Sequence, residues 1–126
     1  MNAIKTPHAP AAIGPYSQAV KTKNFVFLSG QLGIDPDSRE FAGESTAEQA
    51  EQALRNIAEV LKTAGASLGN VVKTTVFLKN IRDFSDFNEV YKNFFSEPFP
   101  ARSCVQVAAL PMDAKVEIEV IAELDK

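Results

Sequence analysis

The segment "STAEQAEQALRNIAEVLKTAGASLGNVVKTTVFLKN", Ser45–Asn80, decides how this chain folds. Ser45 and Glu48 stand three apart, the spacing of a capping box that opens a helix. Ala50, Leu54, Ile57, Leu61 and Ala64 then recur at steps of four, three, four and three, one apolar stripe at helical period. Gly65 falls where a left-handed residue closes such a helix. At Asn70 the composition changes, and "NVVKTTVFLKN" reads as a strand by its Val, Thr and Phe content. Upstream, "NFVFLSGQLG", Asn24–Gly33, is a second strand signal that breaks at Ser29-Gly30, and "IDPDSREFAG" is a turn-rich loop.

Downstream the alternation repeats. "DFSDFNEVYKNFFSE", 83–97, reads as a second helix with Asp83 as N-cap and Phe84, Phe87, Val90, Tyr91, Phe94 and Phe95 on its inner side. Pro98 and Pro100 end it. Strands follow at about 101–109 and 115–124, joined by "LPMDA", while the Ala- and Pro-rich residues 1–13 read as a loose arm. The order is β-α-β-α-β-β, with room for one or two more strands before residue 34. Two right-handed crossovers put both helices on one face of a single mixed sheet, an α+β layer, and residues 1–126 are expected to form one domain.

The other face of that sheet is left bare. In the last strand Val116, Ile118, Val120 and Ala122 alternate with Lys115, Glu117, Glu119 and Ile121, yet Phe25 and Phe27 oppose Val26 and Leu28, so the early strand is apolar on both sides. A partly apolar face without helices predicts a homo-oligomer.

Composition removes several function classes. A net charge of −3 over 126 residues, with lysines and acids interleaved, argues against nucleic acid as a partner. One cysteine and one histidine make an intrachain disulfide or a Cys/His zinc cluster untenable. No signal-peptide pattern and no apolar run of about 20 residues is present, so no membrane association and a cytoplasmic location are expected.

The chemistry-bearing candidates concentrate near the C-terminus. In "FPARSCVQVAALP", Arg102 and Cys104 are two apart in a strand and share a face. No acidic residue lies between Pro98 and Met112, so Arg102 is either paired from another segment or free to grip an external carboxylate with its planar fork. Cys104 reads as a small pocket-lining residue or as a nucleophile that would need an activating neighbour. Glu117 is either a solvated partner of Lys115 or a general base that positions water. If the last two strands form a hairpin, Glu117 opposes Gln106 or Ala108, four or six residues from Arg102, roughly 13–20 Å. Tyr16, in "GPYSQAV", and Ser29-Gly30 are weaker signals, and His8 belongs to the arm.

Taken together these segments resemble the Rid, or YjgF-like, family of reactive-intermediate deaminases. The resemblance is carried by "APAAIGPYSQAV", "FLSGQLGIDP", "VVKTTVFLKNIRDFSDFN", "VYKNFFSEPFPARS" and "PARSCVQVAALP" followed by "KVEIEVIA", in order along nearly the whole chain. Cys104 is similar to the RidA branch, whose usual activity is imine hydrolysis. The resemblance implies a chorismate-mutase-like fold assembled as a homotrimer around a central barrel, with clefts between subunits. It implies 2-aminoacrylate and 2-aminocrotonate, with their 2-imino acid tautomers, as substrates released by PLP-dependent serine and threonine dehydratases. Pyruvate or 2-oxobutanoate and ammonia are the products, with neither cofactor nor metal. Arg102 would hold the substrate carboxylate and Glu117 would position water, while Tyr16, Ser29, Gly30, Asn88 and Cys104 would line the cleft. A regulatory protein that binds 2-oxo acids in the same cleft is the competing expectation; a ribonuclease, also attached to relatives, fits the acidic balance poorly.

Overall fold

The computed structural model describes residues 1–125. Helix α1 (Thr46–Thr63) begins where Ser45 Oγ accepts the Glu48 amide N–H and the Glu48 carboxylate accepts the Ser45 amide in return. It ends where Gly65 takes a φ of +84°, a left-handed conformation that favours glycine. The Ala66 amide then reaches Leu61 O and the Gly65 amide reaches Lys62 O, both bonds of a Schellman closure. All five residues of the apolar stripe are buried, and each large aliphatic one contributes about 1.5–3 kcal/mol by leaving water.

The strands are β1 (Asn2–Ile4), β2 (Ala19–Lys21), β3 (Phe25–Leu28), β4 (Gln31–Leu32), β5 (Val71–Leu78), β6 (Ala101–Gln106) and β7 (Val116–Glu123). They form one mixed sheet in the order β1-β2-β3-β7-β5-β6, with β4 also paired to β7. Because β3 and β5 are each antiparallel to β7, they are parallel to one another, and β5 and β6 are parallel directly. The two crossovers carry α1 and α2 (Phe84–Tyr91), which pack together over the sheet's apolar face as an α+β layer. Among the described residues no helix is long and apolar enough to cross a membrane.

The strand order corrects the expected hairpin. β6 and β7 are consecutive in sequence, but β5 lies between them. Their link passes over the end of β5, where Lys79 bonds the Lys115 carbonyl through its amide and Asp113 through its ammonium at 2.7 Å. Burial gives the reason. The Val116, Ile118, Val120 and Ala122 side of β7 is almost wholly buried and belongs in the centre, whereas β6 is largely exposed and takes the edge.

Three further expectations change. The arm is not loose: β1 pairs with β2, and the buried Gln18 amide clamps Thr6, accepting its N–H and donating to the carbonyls of Thr6, Ala9 and Pro10. The second helix is shorter than expected. It gives way after Tyr91 to tighter turns that bring Phe95 into the core, with its ring 4.7 Å from that of Tyr91. Asp83 stands at its N-cap position, as expected, but makes no side-chain capping bond; its carboxylate instead accepts the Thr46 hydroxyl at 2.6 Å and ties the two helix starts together. Finally, the break at Ser29-Gly30 is a bulge. Four steps from Phe27 to Gln31 face three from Ile121 to Ile118, so β3 and β4 together run along β7 with one residue to spare.

Candidate functional site

Arg102 sits on the edge strand opposite Thr74 of β5, which in turn is opposite Val120 of β7. That row faces the helices. The guanidinium leans onto α2, where Nη1 donates to Asn88 Oδ1 at 2.8 Å. Its Cζ lies 4.7 Å from the ring centre of Tyr91, 5.4 Å from that of Phe84 and 5.9 Å from that of Phe87. Residues 84, 87, 88 and 91 recur at helical spacing, so one face of α2 forms a cradle of three rings and an amide. Among the described residues no carboxylate pairs with Arg102, which leaves most of its five donors available to a ligand.

Cys104 follows on the same face, half-buried against the core. Burial pushes its thiol pKa up, and the nearby Arg102 charge pulls it down by less. The thiol is therefore held neutral, the wrong form for a nucleophile. Tyr91 is also raised, by burial above all, and its hydroxyl shares a hydrogen bond of 2.8 Å with the fully buried Thr74.

Glu117 lies elsewhere. Its row across the sheet is Glu117, Phe77 and Val105, which faces away from the helices. Relative to Arg102 it is two strands across and three residues along, roughly 10 Å in each direction, and on the opposite face of the sheet. This replaces the hairpin offset of four or six residues, and one chain cannot bring the two groups onto one small molecule. Burial raises the Glu117 carboxyl pKa, and the Glu119 charge on the same face adds to it. Leu32 of β4 pairs with Glu117, and the carboxyl rests against Gly30, where an added Cβ would fall 2.7 Å from Cδ. Ser29 fastens the next segment in place: its hydroxyl donates to Ser17 O at 2.6 Å and its amide to Gln18 O. Tyr16 stands beside Ser17, half-exposed, its hydroxyl accepting a long bond from the Ile13 amide.

The seven candidates thus separate into two groups. Arg102, Asn88 and Cys104 gather under α2, while Glu117, Gly30 and Ser29, with Tyr16 next to them in the chain, gather at the bulge. A hollow of about 180 Å³ on the bare face, lined by Phe27, Lys73, Thr75, Glu119 and Ile121, contains none of them. His8 is exposed, beside Glu59 and Lys62 of α1. Among the described residues no cluster of three His, Cys, Asp or Glu side chains could hold a metal.

Phe84, Tyr91 and Thr74 had no place among the sequence candidates as part of a site. The aromatic stripe reads as core, and most of it is: Phe87, Tyr91 and Phe95 are buried, but Phe84 remains partly exposed beside the guanidinium. The available signal was one hydroxyl in an otherwise phenylalanine stripe.

The family model that matches is Ribonuc_L-PSP, described as endoribonuclease L-PSP, over residues 6–124. The chain is 54% identical over 121 residues to Reactive Intermediate Deaminase A, chloroplastic, of Arabidopsis thaliana, covering 96% of this chain and 65% of that protein, so it spans just under two thirds of this relative. It is 56% identical over 119 residues to the 2-iminobutanoate/2-iminopropanoate deaminase of Bos taurus, covering 94% and 87%. The crystal structure of E. coli TdcF with bound serine superposes with a TM-score of 0.94 at 44% identity, covering 99% of this chain and all of that one.

Proposed function

The chain belongs to the Ribonuc_L-PSP family, and on that premise we propose that it is a 2-iminobutanoate/2-iminopropanoate deaminase. The observation that carries the reading is the guanidinium of Arg102, braced by Asn88 and three rings yet without a carboxylate partner among the described residues. A short 2-imino acid offers one fixed handle, its carboxylate, which suits such a fork. The TdcF relative was solved with serine, a three-carbon acid of that size.

An enamine substrate first gains a proton at C3 to give the protonated imine. Water then adds to the electrophilic C2, losing a proton to Glu117. Glu117 returns that proton to the carbinolamine nitrogen, and as the C–N bond breaks the hydroxyl gives its own proton to the regenerated Glu117 carboxylate and so to solvent, releasing ammonia and leaving the 2-oxo acid. A carboxyl with a raised pKa suits both directions of that transfer. Cys104 lines the site as a neutral thiol. The steps call for neither metal nor cofactor, because the imine carbon is already electrophilic.

In this reading residues 1–126 act as one domain, three copies assemble with their bare sheet faces inward, and each cleft takes Arg102 from one subunit and Glu117 from its neighbour. The separation of the two groups across the sheet supports that assembly. Substrate would come from PLP-dependent serine and threonine dehydratases in the cytoplasm. The test runs a threonine dehydratase with threonine and semicarbazide as a competing trap. A deaminase slows semicarbazone formation, and Arg102→Ala loses most of that protection. If wild type leaves trapping unchanged while still binding 2-oxobutanoate, the chain is a 2-oxo-acid-binding regulatory protein using the same Arg102.

A further inference from the structure

We propose that Tyr91, fastened by Thr74, is a positioning residue that sets where the Arg102 guanidinium sits, and through it how tightly the substrate carboxylate is held. This rests on the reading of Arg102 as the carboxylate anchor. A long arginine on an exposed edge strand has many rotamers, and each one lost on binding weakens affinity. Asn88 fixes one nitrogen of the fork with a single hydrogen bond. One bond leaves the plane of the fork free to rotate about it.

The ring of Tyr91, the nearest of the three at 4.7 Å from Cζ, supplies the second constraint. That ring is itself held on two sides, by Phe95 at 4.7 Å and Phe87 at 5.5 Å, and at its tip by Thr74. Thr74 is also the residue directly opposite Arg102 in the ladder between β5 and β6. The contacts therefore close a circuit. Backbone pairing runs from Arg102 to Thr74, a hydroxyl pair from Thr74 to Tyr91, and the aromatic face back to the guanidinium. Filling the core at position 91 asks only for a phenylalanine, as at 87 and 95. The buried hydroxyl pair is additional, and its effect is to tie the height of the ring to the strand that carries Arg102.

The test compares wild type with Tyr91→Phe, Thr74→Val, the double variant, Thr74→Ser and Arg102→Ala. Each is read for melting temperature and for KM and kcat on 2-iminobutanoate generated in place from threonine. The single variants Tyr91→Phe and Thr74→Val each leave a buried hydroxyl unpaired and melt lower; the double variant, with neither hydroxyl, recovers much of that loss. The expected result is that KM nevertheless stays raised about tenfold in the double variant while kcat changes less than about twofold, the signature of weakened uniform binding. Thr74→Ser, which keeps the hydroxyl, retains the wild-type KM. If KM returns to the wild-type value together with the melting temperature, or rises in Thr74→Ser as it does in Thr74→Val, the pair is structural only and the inference is overturned. Arg102→Ala separates the two levels: a raised KM there with a normal KM in the double variant defeats only the role of Tyr91, whereas an unchanged KM in Arg102→Ala defeats the anchor itself.

Discussion

Arg102 and Glu117 are held by opposite means. Around Arg102 the structure adds matter: three rings and an amide from one helix crowd a side chain on an exposed edge. Around Glu117 it takes matter away: the carboxyl fits because Gly30, in a bulge, has no side chain to occupy its place. The first region can be tuned by exchanging side chains, and in the proposed reading its affinity is built within one subunit. The second depends on backbone shape, and it faces the side of the sheet that a single chain leaves bare. In the proposed trimer, binding and proton transfer are contributed by surfaces that meet only on assembly.

The sharpest way to break this comparison is Glu117→Gln. Loss of a general base lowers kcat about 10²–10⁴-fold while KM, set at the other group, moves little. Initial rates on 2-iminobutanoate check this, and a KM effect larger than the kcat effect would join the two regions that the structure separates. Mixing this variant with Arg102→Ala, then dissociating and reassembling the two, should restore part of the activity, because some mixed clefts receive both wild-type groups. No recovery would place the complete site within one subunit.

Arg102→Ala alone is expected to raise KM by about one to two orders of magnitude, the range of a charge-assisted hydrogen bond, with the fold retained by circular dichroism. Gly30→Ala comes next. Its methyl displaces the Glu117 carboxyl by a few tenths of an ångström or more, so kcat falls about tenfold, by the steep dependence of catalysis on placement, and carboxylate affinity is spared. Titration calorimetry with 2-oxobutanoate distinguishes these outcomes.

The smallest effect concerns stability. Glu117 has a folded pKa above its unfolded value, so the unfolded chain ionises first as pH rises, and the wild-type fold carries a penalty that is complete above the folded pKa. Glutamine cannot ionise. Glu117→Gln should therefore melt higher than wild type near pH 8, and the difference should shrink as pH falls below the ordinary carboxylate range, as a calorimetric series would show. An equal difference at every pH would mean that packing, not charge, causes it.

Much of the scaffold was legible because its signals are local. The capping box, the apolar stripe and Gly65 each fix a few neighbouring residues, and α1 follows. The strands at 71–78 and 116–123 follow from composition in the same way. Strand order is not local. The alternation of β7 states which residues are buried but not between which partners, so the expected hairpin with β6 gave way to insertion beside β5. The same gap hid the relation of Arg102 to Glu117, although both residues stood out. The arm went unread because its clamp, Gln18, is a single amide whose three carbonyl partners lie eight to twelve residues away. Asn88 entered through family resemblance, and Tyr91 was concealed in a stripe that reads as core.

The strand that fills the middle of the sheet follows every other strand in sequence. During synthesis β3 and β5 emerge first and wait, each with an open ladder edge, until residues 116–123 leave the ribosome. β1, β2 and β3 can pair in sequence order, as can β5 and β6, but the two halves share no strand until β7 inserts between β3 and β5, so closure of the sheet waits for residues 116–123. A chain lacking β7 presents two open strand edges, one on β3 and one on β5, to the cell.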